Sequence, residues 1–448
     1  MINLLRRVFG LSSRDSVRSR RATGRGHAVP RDFRPLEEVP PTRGSESPVE
    51  PAFLTDRNAT QAPLAAAFTP TLPRTLGPLF IGRETHLRRM IAAVEQERAH
   101  IVLFGDRGRG KTSLANGFAA LAEKAGIETV RRACGTHTTY ARLFRGLLAE
   151  IPGRMLRDGN HLESAADLLP EGDFGADEVC DILARLRGRV VLVVDEFDRA
   201  ESDRLRSEIA ETIKNLSDQG ADATLLLIGV AGSLEDLLGR QPSVQRAILA
   251  IALRPMDDAE IARLVAAGAD VAGLDFEPAA VALIVRLSRG MPYYAHLLSL
   301  YTARAAAARG TAASVTRGDA VAGADQVMQK QAAELGEAWS RAMAVPGGEA
   351  ALMAAALAQF DDDCRISSAA LPDEVHAAID VLCTEAGGAV LFRKDEPGGS
   401  RIGFRLPAVA HQVLLHALCT GRLPGTDAAP ARHETSPNIQ NKQASIAA

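Results

Sequence analysis

Aromatic residues are scarce in this chain, at 4% of its 448 residues, and it carries a single tryptophan. Alanine supplies much of the 46% apolar content instead, a balance that leans helical. Cysteine is sparse as well. Cys134, Cys180, Cys364, Cys383 and Cys419 form no C-x-x-C pair and have no histidine cluster beside them, which argues against a disulfide framework or zinc site and fits a reducing cytosol. No apolar run is long enough to span a bilayer, and Arg6 and Arg7 interrupt the opening stretch Met1–Leu11. Neither a membrane span nor a signal peptide is therefore expected, and the expected location is the cytoplasm. An excess of one charge is missing too. A formal net charge of -3 gives no global pull toward nucleic acid or membrane, so any such contact must come from a local patch.

The chain is long enough for two or three domains. Residues 1–76 are rich in Pro, Ser and Arg without sustained periodicity, which predicts disorder. Arg14, Arg18, Arg20, Arg21 and Arg25 make the start of this segment basic, and it reads as a solvated tail. The polar stretch 423–448 is also expected to be disordered. Between the two, apolar runs at Ile101–Phe104, Thr129–Ala133, Val190–Val194, Thr224–Ile228 and Leu249–Leu253 read as strands. Helical patterns separate them, such as Leu114, Phe118, Leu121 and Leu205, Ile209, Ile213, Leu216. This alternation predicts an α/β core over 77–255, a parallel sheet with helices on both faces. A helical region over 256–343 opens at the capping-box pattern Asp257–Glu260. In the third region, 344–422, helices precede a hairpin of Ala389–Arg393 and Arg401–Arg405, with another helix after it. That is the order of a winged helix-turn-helix.

Gly105-Asp106-Arg107-Gly108-Arg109-Gly110-Lys111-Thr112 matches G-x-x-x-x-G-K-[ST], with an apolar strand before it and an amphipathic helix after it. Glycines let such a loop wrap closely, so that its amides and the helix N-terminus, with Ser113, face phosphates. Lys111 is expected to reach the β- and γ-phosphates of ATP and the Thr112 hydroxyl to bind Mg²⁺. Val190–Glu196 is an apolar strand delivering acids to the sheet's C-terminal edge, where α/β ligands bind. Asp195 there is expected to hold Mg²⁺ through its water shell, and Glu196 to polarise the attacking water. ATP hydrolysis is the expected reaction.

Together with Leu79-Phe80-Ile81-Gly82-Arg83-Glu84 a short helix upstream, these motifs resemble the AAA+ ATPases, especially the origin-recognition and STAND-like branch. The resemblance implies that Phe80, Ile81, Gly82 and Arg83 flank the adenine. It also implies that the helical region is a lid whose Gly290-Met291-Pro292 turn packs near the base. The sensor positions depart from the family pattern. Ser233 is the polar candidate after the fourth strand, and Tyr293 stands where an arginine often follows the proline, with Arg289 before it. Tyr293, Tyr294 and His296 read as helix packing. Arg246, with Arg240 second, stands where a trans-acting arginine is found in the family, which implies an ATP-dependent homo-oligomer.

Beside a nucleotide-dependent scaffold that binds ATP tightly and hardly turns it over, two functions remain open. One is a DNA-linked switch or remodelling ATPase, contacting DNA through Arg393, Lys394, Arg401 and Arg405 of the hairpin. The other is a STAND-like signalling or defence ATPase whose C-terminal region binds a protein client. Asp361, Asp362, Asp363, Asp373, Glu374, Asp380 and Glu385 crowd the third region, including the expected recognition helix Pro372–Glu385, and oppose contact with phosphates.

Overall fold

The computed structural model describes residues 64, 66–70, 80–200, 202–239, 241–310, 314–358, 365–396 and 399–423. The basic N-terminal stretch and the C-terminal tail from 424 on lie outside them.

Five apolar runs form one parallel sheet: β1 (His100–Phe104), β2 (Glu128–Ala133), β3 (Val190–Asp195), β4 (Ala223–Gly229) and β5 (Ile248–Ala252), in the order β2-β3-β4-β1-β5. The strand period of two sorts β3 between the faces. Val190, Leu192 and Val194 enter one core with Phe144, Ile209 and Ile213, whereas Val191 and Val193 enter the other with Leu87, Leu114 and Phe118. Each fully buried side chain of this size contributes about 1.5–3 kcal/mol relative to exposure, so the register of β3 is fixed from both sides. The covering helices are α1 (Glu84–Ala92), α2 (Lys111–Lys124), α3 (Tyr140–Ala149), α4 (Ala176–Leu183) and α5 (Asp203–Gln219). The apolar stripes expected on α2 and α5 are the buried ones. Two short helices, α6 (Leu234–Leu238) and α7 (Pro242–Gln245), lead back to β5.

After β5 the chain turns helical, with α8 (Asp258–Ala272), α9 (Pro278–Ser288) and α10 (Pro292–Ala308). The expected capping box opens α8. Glu260 N donates to Asp257 Oδ1 at 2.7 Å, and Asp257 N donates to Glu260 Oε2 at 3.0 Å. A short parallel pair, β6 (Asp275–Phe276) and β7 (Ser314–Val315), ties the loops between helices. The long α11 (Arg317–Ala344) then leads away, bent at Gly336, where φ is 52°.

The third region contains α12 (Gly348–Leu357), α13 (His376–Leu382) and α14 (Pro407–Cys419), with the antiparallel strands β8 (Ile366–Ser367), β9 (Leu391–Glu396) and β10 (Gly399–Phe404) ordered β8-β10-β9. The expected hairpin is present, its strand ends one to three residues from those expected. The expected recognition helix is not one helix. Pro372–Glu385 is a 3₁₀ turn at Asp373–Val375, then the short α13, then another turn from Glu385. One continuous apolar core runs through the helical region and the third region, from Leu264 and Leu298 through Val327 to Leu382, Ile402 and Leu414.

Disorder is the expectation up to residue 76, yet Leu64, Ala67 and Phe68 are buried in that same core. The apolar run 62–68 is too short to show a period. Among the described residues no helix is long and apolar enough to cross a membrane.

Candidate functional site

The site lies at the C-terminal edge of the sheet, where the loop after β1 and the end of β3 face α8 and α10. The loop turns at Gly105, Gly108 and Gly110, with φ of 137°, 85° and 86°. A Cβ on Gly105 would lie 2.7 Å from the Leu253 carbonyl, so this glycine is required both by conformation and by contact. Arg109 does not point at the cradle. Its guanidinium donates to the Leu253 carbonyl at 2.9 Å and pairs with Asp106, bracing the loop against the end of β5. Lys111 Nζ donates to the carbonyls of Gly105 at 2.8 Å and Asp106 at 2.9 Å. Burial pushes this ammonium down to about 8, partly offset by Asp198 and Asp106. A cation held at such a desolvation cost is one that an anion in the cradle would stabilise.

β3 ends in the acidic pair. The Thr112 hydroxyl lies 3.3 Å from Asp195 Oδ2, so the two oxygens expected at a hard cation are neighbours. Asp195 Oδ2 is also paired with Arg131 of β2, which is held in turn by Asn116 of α2. Glu196 sits in the left-handed region at φ 52° and ψ 37°. Its carboxylate accepts from Arg199 at 2.8 Å. Asp198 accepts from Val230 N at 2.7 Å, bonding the turn after β3 to the end of β4.

These groups open on a cavity of about 600 Å³, within the range of small-molecule sites. Thirteen of the expected residues line it: Phe80, Ile81, Arg83, Arg107, Gly108, Arg109, Gly110, Lys111, Thr112, Ser113, Asp195, Glu196 and Pro292. Gly82, Gly105, Asp106 and Gly290 do not; they shape the wall from behind. A Cβ on Gly82 would lie 2.6 Å from Glu260 Oε1, and one on Gly290 would lie 2.3 Å from the Met256 carbonyl. Arg83 is a brace as much as a wall. Its guanidinium donates to the carbonyls of Arg109 at 3.2 Å and Arg254 at 3.1 Å, and burial lowers it to about 10.

Several expectations change. Tyr293 and His296, read as packing residues, line the cavity, and Tyr293 N donates to the Gly108 carbonyl at 3.4 Å. The N-terminus of α10 thus rests on the phosphate loop. Tyr294 does pack, stacked on His411 with ring centroids 3.8 Å apart. Ser233 does not line the cavity: its hydroxyl caps α6, accepting from Asp236 N at 3.1 Å. Arg289 donates to the Ala358 carbonyl at 3.2 Å, in the third region, and does not line the cavity. Arg246 lies outside the cavity wall, paired with Asp218 at 3.5 Å with its side chain 79% exposed. Arg240 lies outside the described residues. Sequence reasoning missed Arg131, Asp198, Arg199, Met256, Leu264 and the pair Thr69–Pro70. Only Asp198 and Arg199 had a signal, their position directly after the acidic pair.

A five-stranded parallel sheet in this order, with a phosphate loop after β1 and an acidic pair after β3, defines a P-loop NTPase of the AAA+ kind. The chain belongs to the nSTAND1 family, Novel STAND NTPase 1, whose family model matches residues 74–351. None of the curated proteins matches it by sequence. Among solved structures, a Walker-type ATPase of Pyrococcus abyssi is similar at 18% identity and a TM-score of 0.50, covering 77% of this chain and 98% of that one. Two others align less closely. Cdc6p of Pyrobaculum aerophilum is 13% identical with a TM-score of 0.43, over 80% of this chain and 98% of that one. The Orc1 protein of Aeropyrum pernix, solved in complex with DNA, is 16% identical with a TM-score of 0.40, over 77% and 94%. At these identities the likeness concerns the fold.

Proposed function

We propose that this protein is a nucleotide-dependent switch that binds ATP with Mg²⁺, hydrolyses it, and conveys the nucleotide state through its helical lid to a protein client. The observation that carries this is the meeting of Lys111, Thr112, Asp195 and Glu196 on one wall of a single cavity. Lys111 exchanges the carbonyls of Gly105 and Asp106 for the phosphates. The adjacent hydroxyl of Thr112 and carboxylate of Asp195 offer the oxygen donors Mg²⁺ requires. Bound there, the ion neutralises charge on the phosphates. Arg131 fixes the Asp195 carboxylate in orientation. Glu196 accepts a hydrogen bond from the attacking water once it leaves Arg199, an exposed pairing that costs little to break. Arg246, exposed and weakly paired, serves the site of a neighbouring copy.

The client is read as protein because Asp and Glu outnumber Lys and Arg in the third region, and hairpin cations are engaged within it. Arg393 is bound to Asp380 at 2.6 Å, and Arg405 donates to the Leu391 carbonyl at 3.2 Å. DNA contact is the second reading, favoured by the clustering of Arg393, Lys394, Arg401 and Arg405 on one hairpin, which would act as a wing. Steady-state ATPase activity across protein concentration, with and without duplex or single-stranded DNA, tests both. Specific activity is expected to rise with protein concentration, to fall in Arg246→Ala at unchanged ATP affinity, and to ignore DNA. Absence of turnover in any condition would overturn the ATPase reading. Stimulation by DNA that vanishes with salt would replace the protein client with DNA.

A further inference from the structure

The edge of the sheet opposite the cavity carries a concentrated positive charge. The stretches 154–157 and 185–189 hold five arginines in nine residues: Arg154, Arg157, Arg185, Arg187 and Arg189. The first follows α3 and the second joins α4 to β3. Antiparallel pairing brings them together. Arg157 N donates to the Arg185 carbonyl at 2.9 Å, and Arg187 N donates to the Met155 carbonyl at 2.8 Å. Leu156 lies opposite Leu186, and both are buried. The residues on either side of them therefore face outward, which sets Arg157 directly opposite Arg185 with Cβ atoms about 5 Å apart. The turn beneath is close-packed: a Cβ on Gly153 would lie 2.2 Å from the Leu162 carbonyl. The six residues of β3 separate Arg189 from Glu196, roughly 20 Å at the strand rise.

Like charges opposite each other across paired strands are destabilising. Among the described residues none of the five arginines forms an ion pair. Asp158 follows Arg157 in the chain, and the Glu128 amide bonds to the Arg189 carbonyl at 3.3 Å, yet neither carboxylate engages one of them. Elsewhere on the core, arginines find acids: Arg132 pairs with Glu150, and Arg204 with Glu208 at 3.0 Å. An anion from outside the chain would supply the missing partner.

The side chains narrow the choice of anion. All five are arginines, whose flat fork meets a phosphate with two parallel hydrogen bonds. Among the described residues, none of the large apolar side chains left exposed belongs to either stretch. A protein partner would lack an apolar anchor here, and a bilayer would receive no inserting side chain. A nucleic-acid strand needs neither, since it offers regularly spaced phosphates along a line. We propose that this arginine ribbon is a docking surface for the phosphate backbone of a nucleic acid, with the Arg157–Arg185 pair at its centre. It goes beyond the nucleotide switch and does not depend on it. No residue of the ribbon lines the cavity, so a bound strand tethers the chain without stimulating turnover.

Fluorescence anisotropy of labelled duplex and single-stranded DNA, titrated with the full chain from low to moderate salt, tests this. Wild type is expected to bind either form regardless of sequence, with an affinity that falls steeply as salt rises. Arg157→Ala combined with Arg185→Ala is expected to weaken binding at low salt by roughly tenfold or more and to lower the salt slope by about 2. Melting temperature and ATP affinity should not change in that variant. Arg157→Lys combined with Arg185→Lys keeps the charge and loses the fork, and is expected to keep the slope while losing roughly threefold in affinity. Arg393→Ala combined with Lys394→Ala, in the β9–β10 hairpin, should bind as wild type does. No binding of either DNA by wild type at low salt would overturn the proposal, as would a wild-type slope in the Arg157→Ala, Arg185→Ala chain. Equally tight, arginine-dependent binding to phosphatidylserine vesicles or to polyglutamate would overturn the choice of nucleic acid. A wild-type chain that binds DNA but not ATP would instead overturn the nucleotide site and leave this surface standing.

Discussion

The two walls of the cavity are built by opposite means. On the sheet side, charged groups stand at defined points and are braced by fixed polar partners: Lys111 on two carbonyls, Asp195 by Thr112 and Arg131, Arg109 by Asp106 and Leu253. On the lid side, Ile81, Met256, Leu264, Pro292 and Tyr293 offer shape and apolar surface, with few fixed polar atoms. Phosphates carry localised charge and must be met by specific donors. A nucleoside is largely a flat apolar body, which many combinations of side chains can enclose. The lid wall can therefore be assembled from positions far apart in the chain, and can be changed without harming the chemistry.

That contrast can be broken or sharpened by experiment. The largest effect is expected from the sheet wall. Lys111→Ala removes the cradle's point charge and should weaken ATP binding by roughly 100-fold or more, measured by calorimetry. Binding within a few-fold of wild type would mean that the loop amides alone hold the phosphates. Next, Glu196→Gln should keep ATP affinity and slow turnover by roughly 100-fold or more, read in single-turnover assays. An unchanged rate would move the water-polarising role elsewhere, with Asp198 the next cavity-lining acid after Glu196.

Lid-wall changes should be smaller. Tyr293→Ala removes a ring that meets the Gly108 backbone and should weaken ATP and ADP alike by roughly fivefold, whereas Tyr293→Phe should stay within about twofold. A phenylalanine variant as weak as the alanine one would show that the hydroxyl, not the ring surface, is used.

The smallest expected effect compares how the two walls withstand acid. His100 behind the sheet and His411 behind the lid are both buried, and burial lowers them to about 4 and about 3 from an ordinary 6.5. Each stays neutral in the folded chain while its unfolded counterpart takes up a proton. Stability is therefore full above pH 6.5 and drains away as pH falls toward those lowered values. The melting temperature should drop across that window. His411→Gln should flatten part of the drop, and an identical slope would show that His411 is already charged when folded.

The sheet side was legible in the sequence because its chemistry is local. The strand runs, the glycine loop and the Asp-Glu pair each declare themselves within a few residues, and all five strands appear where the apolar runs lie. Arg131 escaped because only the β2–β3 pairing, Ala133 opposite Asp195, brings its guanidinium to that carboxylate. Tyr293 and His296 escaped because apolar periodicity cannot tell a residue that faces a cavity from one that faces a core. The segment around Phe68 escaped for the opposite reason: the apolar run Ala62–Phe68 is too short to show a period, and only the space above Gly268 shows where its aromatic ring goes. In the third region the hairpin was legible from its turn residues, while the broken helix before it was not, since Pro372 and the acids gave an ordinary helix-start signal.

The unbroken apolar core from α8 to α14 has a mechanical consequence. Among the described residues no solvated joint separates the lid helices from the hairpin, and Arg289 adds a further tie by reaching from the start of the Gly290 turn to the Ala358 carbonyl. Sheet and lid instead meet at the phosphate loop, where Tyr293 N of α10 donates to the Gly108 carbonyl at 3.4 Å. A lever of this kind does not absorb rotation along its length. A rotation of the lid on the sheet would therefore be carried through to the hairpin strands β9 and β10.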